Sequence, residues 1–553
     1  MRSQLFFLLL LSSPAAAQTA EMVAHEQIPT FRAETNLVTV PVVVRDSRGR
    51  PRGDLRREDF QLFDRGKLQI ISRFSVETSG RPGGEAVPAG GVVPGKGLPA
   101  VNVPERFVAY LFDDVHMKLG ESARVRAASM RQAVAALGPT DRVAVFTTSG
   151  ETTLEFTNDR DRLHQTLGQL TPHPIGHTGE AECPNISYYL ADLIINKEDT
   201  GALNVVMGDM ASCGLGGPGA VQMAQAFARM ALNAGERETR AALRALKDAV
   251  QRLSVMPGQR ILVLISPGFH TPESRQEEHD ILDRAIRAKV MINGLDVRGV
   301  YIDTAYDASS RTYSPEVARN KRQYDGLAAS VQADVLEDLS NGSGGRLFRN
   351  NNDLDEQFKG SAAVPEYLYL LGFSPQNLKL DGSFHALKVT IKPPGSLSAR
   401  RGYYAPNQLE TAAATAKREI EESVFSRDEI LDVPLELQTQ FFKPAPDRAR
   451  VTVVARVDVK RLHFRKEEGV NRNTLTVVTA VFDQMGKYVA GNEKIVELRM
   501  RDTTLEMESP PRFTGRAIFD LKPAAYLVRV VVRDAEGQQM SAVNGVVEIP
   551  LFD

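Results

Sequence analysis

The sequence predicts an α/β protein in which helices cover both faces of a doubly wound, mostly parallel sheet, with β-rich segments at either end. Two patterns support this fold class. Between residues 105 and 362, short apolar runs alternate with helix-period segments, which is typical of a parallel sheet. Outside that region apolar residues recur at every second position, as in half-buried strands. A chain of 553 residues is long enough for several domains.

Residues 1–17 have the features of a signal peptide. Arg2 supplies a positive charge, Leu5 to Leu11 form an apolar stretch, and Ala15 to Ala17 form a cleavage signal of the A-x-A type. We therefore expect an exported protein that is periplasmic, outer-surface or extracellular after cleavage near Ala17. No later apolar run reaches the roughly 20 residues of a membrane span, so no transmembrane segment is predicted. The net charge of -2 gives no bias toward nucleic acid.

Residues 35–78 predict a small β module that is too short to enclose a core alone. Residues 79–104 are rich in Gly and Pro and predict a linker. Period-two alternation returns over residues 363–406, where no crossover helices separate the predicted strands. We therefore expect this β extension to pair with the N-terminal module, so that the α/β domain of residues 105–362 is inserted within a composite sandwich.

The central α/β region opens with the run F-V-A-Y-L-F-D-D-V-H-M, from Phe107 to Met117. A long apolar run of this kind predicts a strand buried on both faces. The following strands are predicted at 143–147, 261–265, 290–297 and 346–348. Helices are predicted at 121–137, 159–170, 188–196, 220–256, 273–289, 323–339 and 354–358.

Residues 407–430 predict a helical connector, and residues 431–553 predict an immunoglobulin-like β-sandwich. A recurring unit at 42–49, 480–486 and 530–537 places Asp three residues before Gly at a strand end. The Asp side chain opens a turn and Gly supplies the positive φ that closes it, so we expect turns rather than calcium sites.

A candidate ligand-binding edge is predicted where the central strands end. Ligands of open α/β sheets bind beside the carboxyl ends of the strands. Asp113, Asp114 and His116 follow the first strand, and Ser266 and His270 follow a later one. Ser266 lacks the G-x-S-x-G elbow of a nucleophilic serine, and neither a zinc-protease motif nor a phosphate-binding loop is present. The sequence therefore predicts no enzyme, with an exported hydrolase at this edge as the alternative.

The two cysteines, Cys183 and Cys213, leave three possibilities open. An exported chain with an even cysteine count favours a disulfide. Free thiols are the second possibility. Zinc binding with His173 and His177 is the third, although the intervening Pro and Gly residues break any helix that would align the two imidazoles.

The order of several motifs resembles the von Willebrand factor type A (VWFA) domain, within a secreted bacterial subgroup. The motifs are E-D-F-Q-L-F-D-R-G-K, Y-L-F-D-D-V-H-M, G-P-T-D-R-V-A-V, V-L-I-S-P-G-F, G-G-R-L-F, Y-L-L-G-F-S-P and R-G-Y-Y-A-P, between residues 58 and 406. The resemblance implies a non-enzymatic binding protein acting in protein-protein or cell-surface recognition. An architectural component of an envelope assembly is a further alternative.

Many VWFA domains bind a divalent cation with D-x-S-x-S, a Thr from a following loop and an Asp after a later strand. Here Asp113 keeps the first position, but Val115 and Met117 replace the serines, and Ser266-Pro267-Gly268 stands where the later Asp is expected. Val and Met offer no hard oxygen ligand. The resemblance therefore implies a degenerate adhesion site with no cofactor, and Mg²⁺ is disfavoured except as a weak site at Asp113. Otherwise the two acids are expected to cap the turn and the helix.

Overall fold

The computed structural model describes residues 37–78, 104–135, 137–176, 183–299, 315–349, 351–375, 381–406, 412–426, 429–507 and 512–550. The predicted signal peptide and all but the last residue of the predicted linker lie outside these residues. The described chain is mixed α/β, with several sheets and many strands in its C-terminal part. Among the described helices, none combines the length and the apolar character needed to cross a membrane.

Four strands come first in the chain and belong to the N-terminal module. They are β1 (Val38–Arg45), β2 (Phe60–Asp64), β3 (Lys67–Gln69) and β4 (Arg73–Thr78). Their alternation is visible in β2, where Phe60, Leu62 and Asp64 are buried and Gln61 is exposed. This period of two follows from the opposite orientation of successive side chains in a strand.

The central sheet contains β5 (Arg106–Phe112), β6 (Asp141–Thr147), β7 (Thr153–Thr157), β8 (Gln259–Ser266), β9 (Val290–Asp296) and β10 (Leu347–Phe348). Its order is β10-β9-β8-β5-β6-β7. Every neighbouring pair is parallel except β6 and β7, which form an antiparallel hairpin. The chain leaves β5 toward β6 and later returns on the other side at β8. The doubly wound sheet therefore changes direction between β5 and β8.

The helices of this region are α1 (Leu119–Ala135), α2 (Arg160–Gly168), α3 (Tyr188–Asn196), α4 (Thr200–Ser212), α5 (Ala220–Ser254), α6 (Arg275–Arg287), α7 (Pro315–Ser343) and α8 (Leu354–Ser361). Apolar residues of α1, α2 and α8 pack on one face of the sheet. Those of α5, α6 and α7 pack on the other. Burial on both faces explains why the central strands are continuous apolar runs.

Helices α3 and α4 and the first half of α5 form an additional helical layer with its own core. The helix α3 was predicted from its sequence, but α4 was not. Its apolar residues include the consecutive run from Val205 to Met207, so they do not form one clear stripe. Asp199 caps its first turn by accepting a hydrogen bond from the Ala202 backbone at 2.9 Å.

The strands that follow are β11 (Tyr367–Phe373), β12 (Phe384–Ile391), β13 (Ser396–Ala399) and β14 (Gly402–Tyr404). They interleave with the N-terminal strands in two sheets, β13-β1-β11-β4 and β14-β12-β2-β3. Val40, Leu62, Tyr369 and Phe373 share the core between these sheets. The pairing of residues 35–78 with residues 363–406 that the sequence suggested is present in the structure.

The C-terminal part contains α9 (Ala412–Phe425), β15 (Ile430–Leu431), β16 (Leu435–Ala445), β17 (Arg448–Asp458), β18 (Arg465–Glu467), β19 (Val470–Phe482), β20 (Tyr488–Met500), α10 (Asp502–Leu505), β21 (Arg512–Leu521), β22 (Ala525–Asp534) and β23 (Gln539–Glu548). Strands β16, β17 and β21 form one sheet, and the others form the second. The two sheets face a common apolar core. Helix α9 packs on the outer face of the larger sheet through Val424.

The recurring Asp-to-Gly units are turns, as predicted. Asp46 and Asp483 each accept backbone hydrogen bonds from the residues two and four positions later, at 2.8 and 2.9 Å. Gly49 and Gly486 have φ of +78° and +80°. The expectation was wrong at Gly537, because the positive φ falls on the next residue, Gln538.

The turn between β19 and β20 contacts the amino end of the central sheet. The buried guanidinium of Arg142, in β6, donates a hydrogen bond to the Gln484 carbonyl at 3.0 Å. Gly486 lies so close to the Phe107 ring that a Cβ would overlap it. Arg260, in β8, donates to the Phe425 carbonyl at the end of α9. The C-terminal sandwich therefore covers the end of the sheet opposite the candidate ligand edge.

Candidate functional site

Asp113 lies directly after β5, where the doubly wound sheet changes direction, and is completely buried. The Ser266 hydroxyl, from the end of the neighbouring strand β8, donates to Asp113 Oδ2 at 2.5 Å. His116 Nδ1 lies 2.8 and 3.0 Å from the two carboxylate oxygens. The Thr148 hydroxyl donates to Oδ1 at 3.0 Å. The carboxylate thus connects β5, β8 and the segment after β6.

The hydrogen bonds at Asp113 also affect its ionisation. Burial alone raises the pKa of this carboxyl, because a charged group loses hydration inside the protein. The charge and hydrogen bond of His116, with those of Ser266 and Thr148, act in the opposite direction and leave the pKa below its ordinary value. The local environment therefore favours the ionised form of Asp113.

Asp114 is also buried, and it binds a second set of donors. The Thr148 hydroxyl reaches Asp114 Oδ1 at 3.0 Å, so that it bridges the two acids. Ser149 donates through its backbone at 2.9 Å and through its hydroxyl at 2.5 Å. His173 Nδ1 lies 3.0 Å from Asp114 Oδ2, and the His173 backbone donates to the Asp114 carbonyl at 2.7 Å.

The local sequence explains how these groups meet. Parallel strands end at the same edge, so the residues after β5, β6 and β8 become neighbours although they are far apart in the chain. Thr148 continues the hydrogen bonding between β5 and β6 by one residue, because its N–H donates to the Phe112 carbonyl at 3.0 Å. Gly150, with φ of +80°, then turns the chain back toward β7.

The imidazole rings form the accessible part of the network. The ring of His116 stacks on that of Phe269 with a centroid separation of 5.3 Å and an interplanar angle of 16°. The His116 side chain is 14% exposed and that of His173 is 39% exposed. A ligand approaching this edge therefore meets imidazoles before it meets the carboxylates.

The structure brings together four of the five predicted site residues, namely Asp113, Asp114, His116 and Ser266. The fifth, His270, has its contacts in a different place. Its ring lies between Tyr188 and Tyr189 of α3, and Nε2 is 3.5 Å from Asp192 Oδ2. His270 therefore connects the loop after β8 to the added helical layer.

Sequence reasoning missed Thr148, Ser149 and His173 as parts of this edge. The polar run T-S-G directly after β6 is a signal that could have identified Thr148 and Ser149, because it follows a strand next to β5. His173 had been considered only as a zinc ligand. Its approach to Asp114 depends on the path of the loop after α2, which no local pattern specifies.

Cys183 and Cys213 form a disulfide with a Cα–Cα distance of 6.0 Å, which confirms the first of the three predicted possibilities. The bond joins the chain before α3 to the end of α4. A zinc site using both thiolates is incompatible with it, and His173 is bound to Asp114 instead. His177 lies outside the described residues.

The donors at the edge bear on the cation question. In the part of the chain that the structure describes, no group of three or more His, Cys, Asp or Glu side chains is suited to hold a metal ion. Val115 and Met117, where the VWFA motif has serines, are buried apolar side chains. The hydroxyls that do lie beside the acids come from Thr148, Ser149 and Ser266 and donate to them.

No family model matches the chain, and no curated protein matches it. A β-glucuronidase from Bacteroides uniformis is 11% identical over 33% of this chain and 19% of its own, with a TM-score of 0.17. A glycosyl hydrolase family 2 member from Bacteroides cellulosilyticus is 11% identical over 34% and 21%, with a TM-score of 0.15.

A further similar structure is the ApaA protein of Bordetella pertussis, at 10% identity over 22% of this chain and 96% of its own, with a TM-score of 0.16. The chain spans about a fifth or less of the length of the first glycosidases that it matches. Likeness at these TM-scores supports no inference about fold or activity.

Proposed function

We propose that this chain is an exported, non-enzymatic binding protein of the VWFA-related type, and that it recognises a protein or cell-surface ligand at the carboxyl edge of its central sheet. The observation that carries the proposal is the network around Asp113 and Asp114. It lies where the strand order reverses between the neighbouring strands β5 and β8, the place where doubly wound sheets bind ligands.

The same network supports binding without a cation. Each oxygen of the two carboxylates already accepts hydrogen bonds from protein groups: His116, Thr148 and Ser266 at Asp113, and Thr148, Ser149 and His173 at Asp114. A cation would have to displace these donors. The buried side chains of Val115 and Met117 offer no oxygen in exchange.

The position of Ser266 supports a binding role over hydrolysis. A serine nucleophile needs an exposed hydroxyl and a base that takes its proton. Ser266 is completely buried, and its hydroxyl donates to a carboxylate while accepting the Gly268 N–H at 2.8 Å. The hydroxyl proton of Ser266 is thus hydrogen-bonded to Asp113 and not to a histidine.

The remaining surface favours the carboxyl edge as the place of contact. The C-terminal sandwich covers the amino end of the sheet through the turn that contains Gln484. At the carboxyl end, Leu119 at the start of α1 is 76% exposed, beside the loop that carries Asp113 and His116. An exposed apolar side chain and partly exposed imidazoles at the same end of the sheet give a partner both an apolar and a polar contact.

Capture of a partner from the native envelope fraction tests this proposal. The mature protein is used as bait with and without EDTA, alongside Leu119→Ser and a control, Leu431→Ser. Leu431 is similarly exposed, at 66%, but lies in the C-terminal β15. We expect EDTA and Leu431→Ser to leave the captured partner unchanged and Leu119→Ser to reduce it severalfold. Loss with EDTA, or equal loss with both variants, would contradict the proposal.

The hydrolase alternative is tested separately. Purified protein is assayed against generic ester and peptide substrates, with Ser266→Ala as the matched variant. We expect no turnover above background for either protein. Turnover that disappears in Ser266→Ala would replace the binding role with an enzymatic one.

A further inference from the structure

A second polar cluster lies beside the candidate site, in a small cavity between α6, α7 and the loop after β8. Glu278, in α6, is 4% exposed, and its carboxyl accepts a hydrogen bond from the Thr271 hydroxyl at 3.0 Å. Asp334 and Asp338 of α7 line the same cavity. Three carboxyl groups thus line one small cavity, and Glu278 is the most deeply buried of them.

Burial and the repulsion between neighbouring carboxylates disfavour the charged form of Glu278. Burial, followed by the nearby charge of Asp338, raises the pKa of Glu278 to about 8. The pKa of Asp338 is also raised, first by its own burial. Glu278 is therefore neutral at pH 7, and its ionisation at higher pH places a negative charge beside other acids. Burial of such a charge favours a rearrangement that admits water.

The titratable groups that face Glu278 come from α6, α7 and the loop after β8. Helix α6 contributes Arg275 and His279, α7 contributes Asp334 and Asp338, and the loop contributes His270. Arg401, after β13, pairs with Asp338 at 3.1 Å and with Glu337 at 2.9 Å. Helix α5 presents a neutral group, the Thr239 hydroxyl, which donates to the His270 carbonyl at 2.9 Å.

The loop whose Thr271 donates a hydrogen bond to Glu278 also builds the candidate site. Ser266 at its start donates to Asp113, and Phe269 stacks on His116. Gly268, with φ of +84°, passes so close to the backbone carbonyl of Gln332 in α7 that a Cβ would overlap it. The loop is therefore packed tightly between the cavity and the site.

We infer that Glu278 is a proton-operated switch: loss of its proton displaces the loop 266–271 and with it the ring of Phe269 that supports His116. The inference rests on the proposed function only for its consequence, pH-regulated ligand binding. The displacement itself is a property of the protein without a partner.

The first measurement is the thermal unfolding midpoint between pH 6 and 9. Because the folded pKa of Glu278 lies above the ordinary glutamate value of 4.5, the stability linked to its proton is fully present below about 4.5 and is lost as the pH rises through about 8. We expect the midpoint of the wild-type protein to fall toward pH 9. In Glu278→Gln, which keeps a neutral side chain, the fall should be several degrees smaller. The matched control is Glu277→Gln, a neighbouring substitution that should retain the wild-type profile.

The second measurement follows the His116 ring at the candidate site by NMR as the pH is changed. Histidine is labelled with ¹³C at Cε1, and the His116 signal is assigned by its absence in His116→Gln. We expect this signal to shift with a midpoint near pH 8 in the wild type, and to lose that step in Glu278→Gln. Thr271→Val removes the hydrogen bond between the loop and Glu278 but keeps the acid. Because this bond lowers the pKa of Glu278, stability should still fall with rising pH, at a higher pH than in the wild type, while the His116 step shrinks at least twofold.

The outcomes separate the two proposals. If the His116 signal follows the same pH course in the wild type, Glu278→Gln and Thr271→Val, the switch is wrong, whatever the partner experiment shows. If Glu278→Gln does not fold, Thr271→Val decides the matter by the size of its His116 step. Absence of any captured partner would contradict the proposed function. It would not affect the switch, which is judged by the measured His116 step alone.

Discussion

The contact between the C-terminal sandwich and the central sheet can be tested with two glycines from the same turn motif. Gly49 and Gly486 each lie three residues after an Asp that accepts backbone hydrogen bonds, with φ of +78° and +80°. A Cβ at Gly49 would meet nothing within 4 Å, whereas a Cβ at Gly486 would overlap the ring of Phe107. Gly49→Ala and Gly486→Ala therefore differ chiefly in the docking contact.

The magnitudes follow from that comparison. Both substitutions place an alanine in the left-handed region, at about 1–2 kcal/mol each. At Gly486 the new methyl group must also be accommodated against Phe107 and Pro257, and overpacking of this kind costs typically about 1–3 kcal/mol. We expect Gly49→Ala to lose about 1–2 kcal/mol of unfolding free energy and Gly486→Ala about 2–5 kcal/mol.

The assay is urea denaturation of the mature protein followed by circular dichroism, with limited proteolysis of the connector as a second reading. We expect Gly486→Ala to weaken the hydrogen bond from Arg142 to the Gln484 carbonyl, which lies in the same turn. Cleavage around α9 should therefore accelerate in this variant alone. Gly49→Ala, in the N-terminal module, should show the wild-type cleavage rate.

A double-mutant cycle with Phe107→Leu completes the test. The smaller side chain leaves room for a methyl group at position 486, so Phe107→Leu and Gly486→Ala together should cost less than the sum of the two single changes. Equal destabilisation by the two glycine variants, together with additive behaviour in the cycle, would refute the docking described here.

Three further predictions concern the site and the disulfide. Asp113→Asn removes the charge that His116 faces, and breaking a buried pair of this kind should cost about 3–5 kcal/mol in urea denaturation at pH 7. Because the folded pKa of Asp113 is lowered, its stabilising effect is present above the ordinary aspartate value of 3.8 and is lost as the pH falls through the folded pKa. The deficit of Asp113→Asn should therefore shrink toward pH 3. Calorimetric titration with Mg²⁺ or Mn²⁺ should show no micromolar binding; such binding, if abolished by Asp113→Ala, would contradict the cation-independent site. Joint replacement of Cys183 and Cys213 by Ala should cost about 3–4 kcal/mol for a loop of 30 residues, and an unchanged melting temperature would contradict a stabilising role.

The sequence predicted elements whose pattern is local. The apolar run that ends at Asp113 specifies β5, because a strand covered on both faces needs no polar side chain until it leaves the core. The turns at Asp46 and Asp483 were predicted from single side chains and a glycine. Helix α4 was not predicted, because its apolar residues form no single stripe and its burial depends on α5 and α7.

The edge itself shows how far prediction from sequence reached. Asp113 and Ser266 were predicted at one edge because strand ends of a parallel sheet share it, whatever the distance in sequence. Which donors each carboxylate receives was decided only by the tertiary structure: Thr148 bridges both acids, and His173 reaches Asp114 along a loop without periodic pattern.

Residue types and the order of strands along the chain are properties of the sequence. The sequence therefore determined that carboxylates follow the first central strand and that positions 115 and 117 carry no serine. Hydrogen-bond partners are fixed by distances of about 3 Å, which depend on how loops pack after folding. The tertiary structure therefore decided that His270 turns toward Asp192, and that Glu278 is enclosed with other acids beside the site.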